Sequence, residues 1–243
     1  MEVLDTLSRI DAQVFRNITS LRHSEHLFDD LVPDRAGQDA AIAAEMAVRN
    51  ARPGIIERGL FYSQAIDYPF ASDAVVGSRF GDGTIRVWYG AFDEATARAE
   101  TCWHALRQAN DLIDPPETAF VRYRAVYTVR AQGLFGDLRG KERAFPTLVG
   151  DDYSATQPIG KYAAQQGLAG LLYPSARWPQ GECVAAFRAD PLSAPALLYY
   201  LTYRIDVAQQ TVVIERTPGV VDQRLHVLEL RRIRRPLRQP GAT

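Results

Sequence analysis

From residue 119 onward the chain carries five β-prone segments with one short helix candidate among them, and this order constrains the fold more than any other feature of the sequence. Residues 119 to 131 alternate: Val121, Tyr123, Ala125, Tyr127 and Val129 fall on one side, Arg122, Arg124 and Arg130 largely on the other, as in a half-exposed strand. Further strands are expected at 169 to 174, 182 to 188, 197 to 207 and 211 to 216. A short helix, capped by Ser154 and ended by Gly167, interrupts them. Such a succession lacks the βαβ rhythm of a Rossmann fold or TIM barrel, so an α+β class with a mixed sheet is expected.

Upstream, a Gly-rich turn at Gly81-Asp82-Gly83 leads into the β-prone run Thr84 to Tyr89. Asp93 then caps a helix on which Ala99, Cys102, Trp103, Leu106 and Ala109 recur at helical spacing, and which stops before Pro115-Pro116. Residues 1 to 54 read as an N-terminal helical extension, because Ala36 to Asn50 is alanine-rich and Pro53-Gly54 closes it. Residues 55 to 217 form the candidate catalytic domain. Residues 218 to 243 form a basic C-terminal extension containing Arg231, Arg232, Arg234, Arg235 and Arg238.

Charge and cysteine usage narrow the function. Lys plus Arg is 28 against 29 for Asp plus Glu, a net charge of -1, so no overall positive field draws the chain to nucleic acid or anionic lipid. The arginine-rich terminus alone would give only weak, salt-sensitive attraction, so no direct nucleic-acid binding is expected. Cys102 and Cys183 stand far apart, which fits neither a disulfide scaffold nor a zinc knuckle and suits a reducing cytoplasm. No stretch reaches the roughly 20 apolar residues of a membrane span.

Phosphate-loop, nucleophile-elbow and zinc-helix motifs are absent. His23 and His26 lack a placed third ligand, and no metal is expected. His104 and His226 are single histidines, and Cys102 belongs to an apolar helix face. What remains are four short motifs: Gly77-Ser78-Arg79-Phe80 before the Gly turn, Trp88-Tyr89 at a strand end, Thr96-Ala97-Arg98-Ala99-Glu100 on the helix, and Tyr173-Pro174-Ser175-Ala176-Arg177 after a strand.

Together, in this order, these motifs resemble the RES domain over about residues 58 to 190, and the stretches Gly167 to Arg177 and Gly181 to Phe187 are similar to the second half of that domain. The resemblance implies an ADP-ribosyltransferase-like fold and a toxin acting on NAD⁺ as substrate, with no cofactor. It implies that ADP-ribose is handed to phosphate, water or protein, and that an Xre-type helix-turn-helix antitoxin is the partner. The eponymous arginine, glutamate and serine would be Arg79, Glu100 and Ser175. Tyr89 and Arg177 would bind substrate. An additional N-terminal arginine of many members matches Arg16, with Arg58 as the rival.

The residue types suit this chemistry independently. Nicotinamide leaves a pyridinium as a neutral base and needs no general acid, so a missing histidine triad is no obstacle. Positive charge builds on the ribose instead, and a carboxylate such as Glu100 can stabilise it. An arginine beside a Gly-rich turn offers a guanidinium and backbone N–H groups to a diphosphate. Tyr89 could stack on the nicotinamide or donate through its hydroxyl. Ser175 could bond the ribose or hold Glu100, and is not expected as a nucleophile because no base stands near it in sequence. Arg177 could equally be a structural ion-pair partner. By spacing alone Glu100 would be a helix-surface glutamate and Arg79 a loop arginine. A protein ADP-ribosyltransferase and a non-catalytic binding module are the competing readings.

Overall fold

A computed structural model describes residues 2–20, 63–71, 77–112 and 120–230. Its frame is an eight-stranded mixed sheet of β1 (Leu7–Thr19), β2 (Trp88–Ala91), β3 (Phe120–Asp137), β4 (Gly170–Pro174), β5 (Glu182–Ala186), β6 (Leu192–Asp206), β7 (Thr211–Thr217) and β8 (Val220–His226). The strands are ordered β1-β2-β5-β4-β3-β6-β7-β8. The helices that matter for the site are α1 (Glu94–Asn110), α2 (Gln157–Gln165) and α3 (Val227–Leu230), and a short helical segment also runs over Ser63–Asp67 and Tyr68–Ala71. The class is α+β.

β3 is the spine. Along one edge it pairs antiparallel with β1 from Leu7↔Gly136 to Thr19↔Arg124. Along the other it pairs first with β6 and then, at Gly136↔Leu171, in parallel with β4. Because β1 also touches β2 at Phe15↔Ala91, the strands β1-β2-β5-β4-β3 close on themselves, and β6-β7-β8 extend from β3 as a wing. Val14, Trp88, Tyr127, Val129, Phe135, Leu172 and Val184 fill the enclosed core.

This arrangement corrects three expectations. The first residues are not a helical extension: Leu7–Thr19 is a sheet strand, because Val14 and its neighbours supply the wall that β3 lacks on that edge. The expected helix at 36 to 50, like Arg58, His23 and His26, lies outside the described residues. The centre of β3 is buried on both faces, with Ala125 through Val129 all 5% exposed or less, whereas Arg122 and Arg130 on either side of it are exposed as expected. Tyr127 and Val129 face the enclosed core while Val126 points the other way, into α1. At the other end, Val220–His226 continues the sheet as β8, so the supposed extension begins as part of the domain, and residues 231–243 lie outside the described ones.

The expected helices form, with one cap displaced. Asp93 caps α1, accepting from the Thr96 N–H at 2.7 Å and the Thr96 hydroxyl at 2.6 Å. The α1 stripe Ala99, Cys102, Trp103, Leu106 and Ala109 packs on Leu201, Tyr203, Val212 and Ile214 of the wing. Helix α2 begins after Thr156, not Ser154, whose hydroxyl is bound to Asp152 at 2.8 Å. Gly167, at φ 73°, follows its C-terminus in the left-handed region that glycine tolerates.

A buried polar cluster ties α1 to three strands. Asn17 Nδ2 donates to Tyr203 Oη at 2.8 Å and to Thr101 Oγ1 at 3.1 Å, while Arg124 Nε donates to Asn17 Oδ1 at 3.0 Å. Asn17→Ala should leave several of these groups unsatisfied and cost about 1–3 kcal/mol. In thermal unfolding that corresponds to a Tm lower by roughly 2–12 °C for a domain of this size. An unchanged Tm would show that water replaces the amide without loss.

Candidate active site

The site is assembled where α1, the turn after β4 and the segment before β2 meet. Glu100 sits at the edge of the buried stripe of α1, half-buried. Its Oε1 accepts from Ser175 Oγ at 2.6 Å and from the Ala176 N–H at 3.0 Å. Two donors on one oxygen fix the carboxylate's orientation.

Ser175 is fully buried. Its hydroxyl gives its proton to Glu100 and accepts from the Arg177 N–H at 3.1 Å and the Trp178 N–H at 3.0 Å. One donor and two lone pairs are thereby engaged. The ground for excluding a serine nucleophile therefore changes: a carboxylate does stand within bonding distance, but both lone pairs are occupied, which leaves the oxygen a poor attacker. Ser175 is a positioning residue for Glu100. Ser175→Ala would leave only the Ala176 N–H on Glu100, and a lost charge-assisted bond of about 1.5–3 kcal/mol should lower kcat by roughly 10- to 100-fold with KM little changed. A loss confined to KM would contradict this role.

The turn holding Ser175 needs Gly181. The Ser175 N–H donates to the Gly181 carbonyl at 2.7 Å, and a Cβ on Gly181 would fall 2.3 Å from Thr96 Oγ1 and 3.2 Å from Ser175 Cβ. The strand-to-turn segment is thus pressed against the first turn of α1, six positions after Ser175 and four before Glu100.

Arg79 is 6% exposed. Its Nη1 donates to the Leu148 and Gly150 carbonyls, each at 2.9 Å, and its guanidinium lies 4.9 Å from the Tyr153 ring centre. Tyr89 reaches the same segment: its hydroxyl accepts from the Phe80 N–H at 3.0 Å and lies 2.9 Å from Ser78 Oγ. Burial pushes this phenol up to about 12, so it stays protonated near neutrality. Tyr173 joins the halves of the site, with its ring centre 4.9 Å from Phe80 and 6.4 Å from Tyr89.

Arg16 lies on β1, and its Nη1 donates to the Tyr89 carbonyl at 2.5 Å while its guanidinium lies 5.0 Å from the Trp88 ring centre. Burial, and next the neighbouring Arg124, lower its proton affinity, yet an arginine remains charged. Arg177, 3% exposed, is paired with Asp151 and stacked 3.9 Å from the Trp103 ring centre. Of the two roles considered for Arg177, the ion-pair role is the one this geometry displays.

Tertiary structure therefore brings Arg79, Tyr89, Glu100, Ser175 and Arg177 around Tyr173 and Asp151, with Arg16 behind Tyr89. Sequence reasoning missed Asp151, Tyr153 and Tyr173 as partners. Asp151 lies in a loop with no pattern to mark it, whereas Tyr173 stood inside a motif already noted. Burial raises the thiols of Cys102, to about 12, and Cys183, so neither offers a thiolate. Among the described residues no group of three or more His, Cys, Asp and Glu side chains could hold a metal ion.

A carboxylate oriented by a buried hydroxyl and a backbone N–H, with the buried Arg79 and Arg177 in the neighbouring loops, makes up the candidate site. The RES domain family model matches residues 52–206, more than half of the chain, and the protein belongs to that family. The crystal structure of the M. tuberculosis MbcT–MbcA toxin–antitoxin complex is similar, at 15% sequence identity and a TM-score of 0.45, covering 81% of this chain and 90% of that chain. No curated protein matches the chain significantly. Among the described residues, no helix is long and apolar enough to cross a membrane.

Proposed function

We propose that this protein breaks the nicotinamide–ribose bond of NAD⁺ and passes ADP-ribose to inorganic phosphate or water. On this reading it is the toxin of a toxin–antitoxin pair whose antitoxin carries an Xre-type helix-turn-helix domain. It needs no metal or further cofactor. Membership of the RES family supports the reading, and the observation that carries it is the Glu100 carboxylate fixed by Ser175 and Ala176.

In the proposed reaction the bond between ribose C1′ and the pyridinium nitrogen breaks with both electrons going to nitrogen, and nicotinamide departs neutral. The sugar carbon becomes oxocarbenium-like, and Glu100 lies against it as the compensating charge. An oxygen of phosphate or water then bonds to C1′, its proton going to solvent. Arg79 holds the loop from Leu148 to Gly150 against the site and faces the diphosphate. Tyr89 keeps the Ser78–Phe80 turn in place through its neutral hydroxyl.

The test is incubation of the purified chain, free of any antitoxin, with NAD⁺ in the presence and absence of phosphate. Free nicotinamide should appear, together with ADP-ribose or its 1″-phosphate. Label transferred to a macromolecule would instead make the protein an ADP-ribosyltransferase. No nicotinamide under either condition, from folded protein, would remove the proposal.

A further inference from the structure

Arg177 is held beside Glu100 at both of its ends. Its guanidinium is stacked 3.9 Å from the ring centre of Trp103, which follows Glu100 by three positions on α1 and so lies one turn along the same side of the helix. Its N–H and the Glu100 carboxylate are bonded to one and the same Ser175 hydroxyl, at 3.1 and 2.6 Å. Yet the ion pair that Arg177 makes is with Asp151. Among the described residues, Glu100 accepts only from Ser175 and the Ala176 N–H.

Asp151 reaches Arg177 from a loop that Arg79 fixes. It follows Gly150, whose carbonyl, like that of Leu148, accepts from Arg79 Nη1 at 2.9 Å. The two partners differ in burial: the Asp151 side chain is 56% exposed and that of Arg177 only 3%. Losing the pair would cost the exposed carboxylate little, since water solvates it. A buried guanidinium stripped of its counter-charge is strongly unfavourable and turns to the next acid beside it. That acid is Glu100. Once paired with Arg177, Glu100 would meet a developing ribose cation with its own charge already compensated.

We propose that Asp151 is a positioning residue: it holds the Arg177 guanidinium over Trp103 and so keeps it off Glu100, leaving that carboxylate uncompensated. The inference rests on the enzymatic reading for its effect on turnover, but not for the placement of Arg177. An ion pair that served only to fasten the Leu148–Asp151 loop to the turn after β4 would change stability, and would leave Arg177 away from Glu100 in the folded protein.

Crystal structures and nicotinamide-release kinetics are compared for the full chain, free of any antitoxin, as wild type, Asp151→Asn, Asp151→Glu and the double variant Asp151→Asn/Arg177→Met. In Asp151→Asn an Arg177 nitrogen should lie within about 4 Å of the Glu100 carboxylate, and kcat should fall about 10- to 100-fold with KM for NAD⁺ little changed. Asp151→Glu, which keeps the charge, should restore both the position of Arg177 and most of the turnover. Removing Arg177 as well should recover at least about tenfold of the loss, because no cation is left to quench Glu100. The double variant leaves no buried charge unpaired and should fold even where Asp151→Asn does not; a kcat no more than about tenfold below the wild type then supports the proposal, and a larger loss overturns it. Arg177 still away from Glu100 in the Asp151→Asn crystal, or an Asp151→Asn kcat within twofold of the wild type, also overturns it. Arg177 on Glu100 in that crystal, with no nicotinamide released by the wild type, supports the placement and overturns only the enzymatic reading.

Discussion

Glu100→Gln should lower nicotinamide release by about 10²- to 10³-fold, the usual consequence of removing one preorganised charge from a transition state, while leaving the fold intact. The amide keeps an oxygen where Oε1 accepts from Ser175 and the Ala176 N–H, so both native bonds persist. What disappears is the negative charge. Because the charge on the ribose develops only as the glycosidic bond breaks, the loss should fall on kcat, with KM for NAD⁺ changing little. Rates from multiple and single turnover, with Tm as the folding control, make the comparison. A decrease of less than tenfold would mean that the carboxylate stabilises no transition state and that a binding module is the better description.

The second large effect is structural and bears on the same site. In an open helix, replacing glycine by alanine favours the helix by about 1 kcal/mol. At Gly160 the sign should reverse. Its added Cβ would lie 2.0 Å from the carbonyl oxygen of Phe80 and 2.8 Å from Phe80 Cβ, so α2 could no longer rest on the loop that carries Arg79. Thr156, one turn earlier, donates its hydroxyl to the Arg79 carbonyl, so the helix and the arginine must move together. Overpacking against fixed backbone should cost about 2–3 kcal/mol, a Tm lower by roughly 4–12 °C, and activity should fall with it as Arg79 is displaced. A Gly160→Ala protein as stable and active as the wild type would show that α2 and the Arg79 loop are not coupled.

Several elements were legible in the sequence because the signals for them are local. The alternation at 119 to 131 placed β3, and the short apolar runs placed β4, β5 and β7 nearly to their ends. Asp93 and the spacing of Ala99, Cys102, Trp103 and Leu106 defined α1 and its buried side. Other elements were misread in part because their cause lies far away in the chain. Within Leu7–Thr19 the alternation Ile10-Asp11-Ala12-Gln13-Val14 was a local strand signal that the helical reading passed over, and the strand's full length is set by β3, which offers it thirteen consecutive partners. The alternation in β3 could not reveal that its centre, Ala125 to Val129, is buried on both sides, since one cover is α1 and the other is the closed ring of strands.

The site divides in the same way. Arg79, Tyr89, Glu100 and Ser175 could be singled out from four motifs, but their mutual geometry could not. Arg177 illustrates the difference: its letter and position suggested a substrate contact or an ion pair, and only the approach of Asp151 and Trp103 displayed the second. By itself, then, the sequence determined the α+β class, the main strands, the helix that carries Glu100 and the family to which the chain belongs. Periodicity, caps and short motifs depend on residues within a few positions of one another. The closed ring of strands, the serine hydroxyl held to Glu100 and the pairing of Arg177 with Asp151 were decided by tertiary structure alone. Each depends on contacts between residues dozens of positions apart, whose pairing is selected by packing and hydrogen-bond satisfaction across the whole fold.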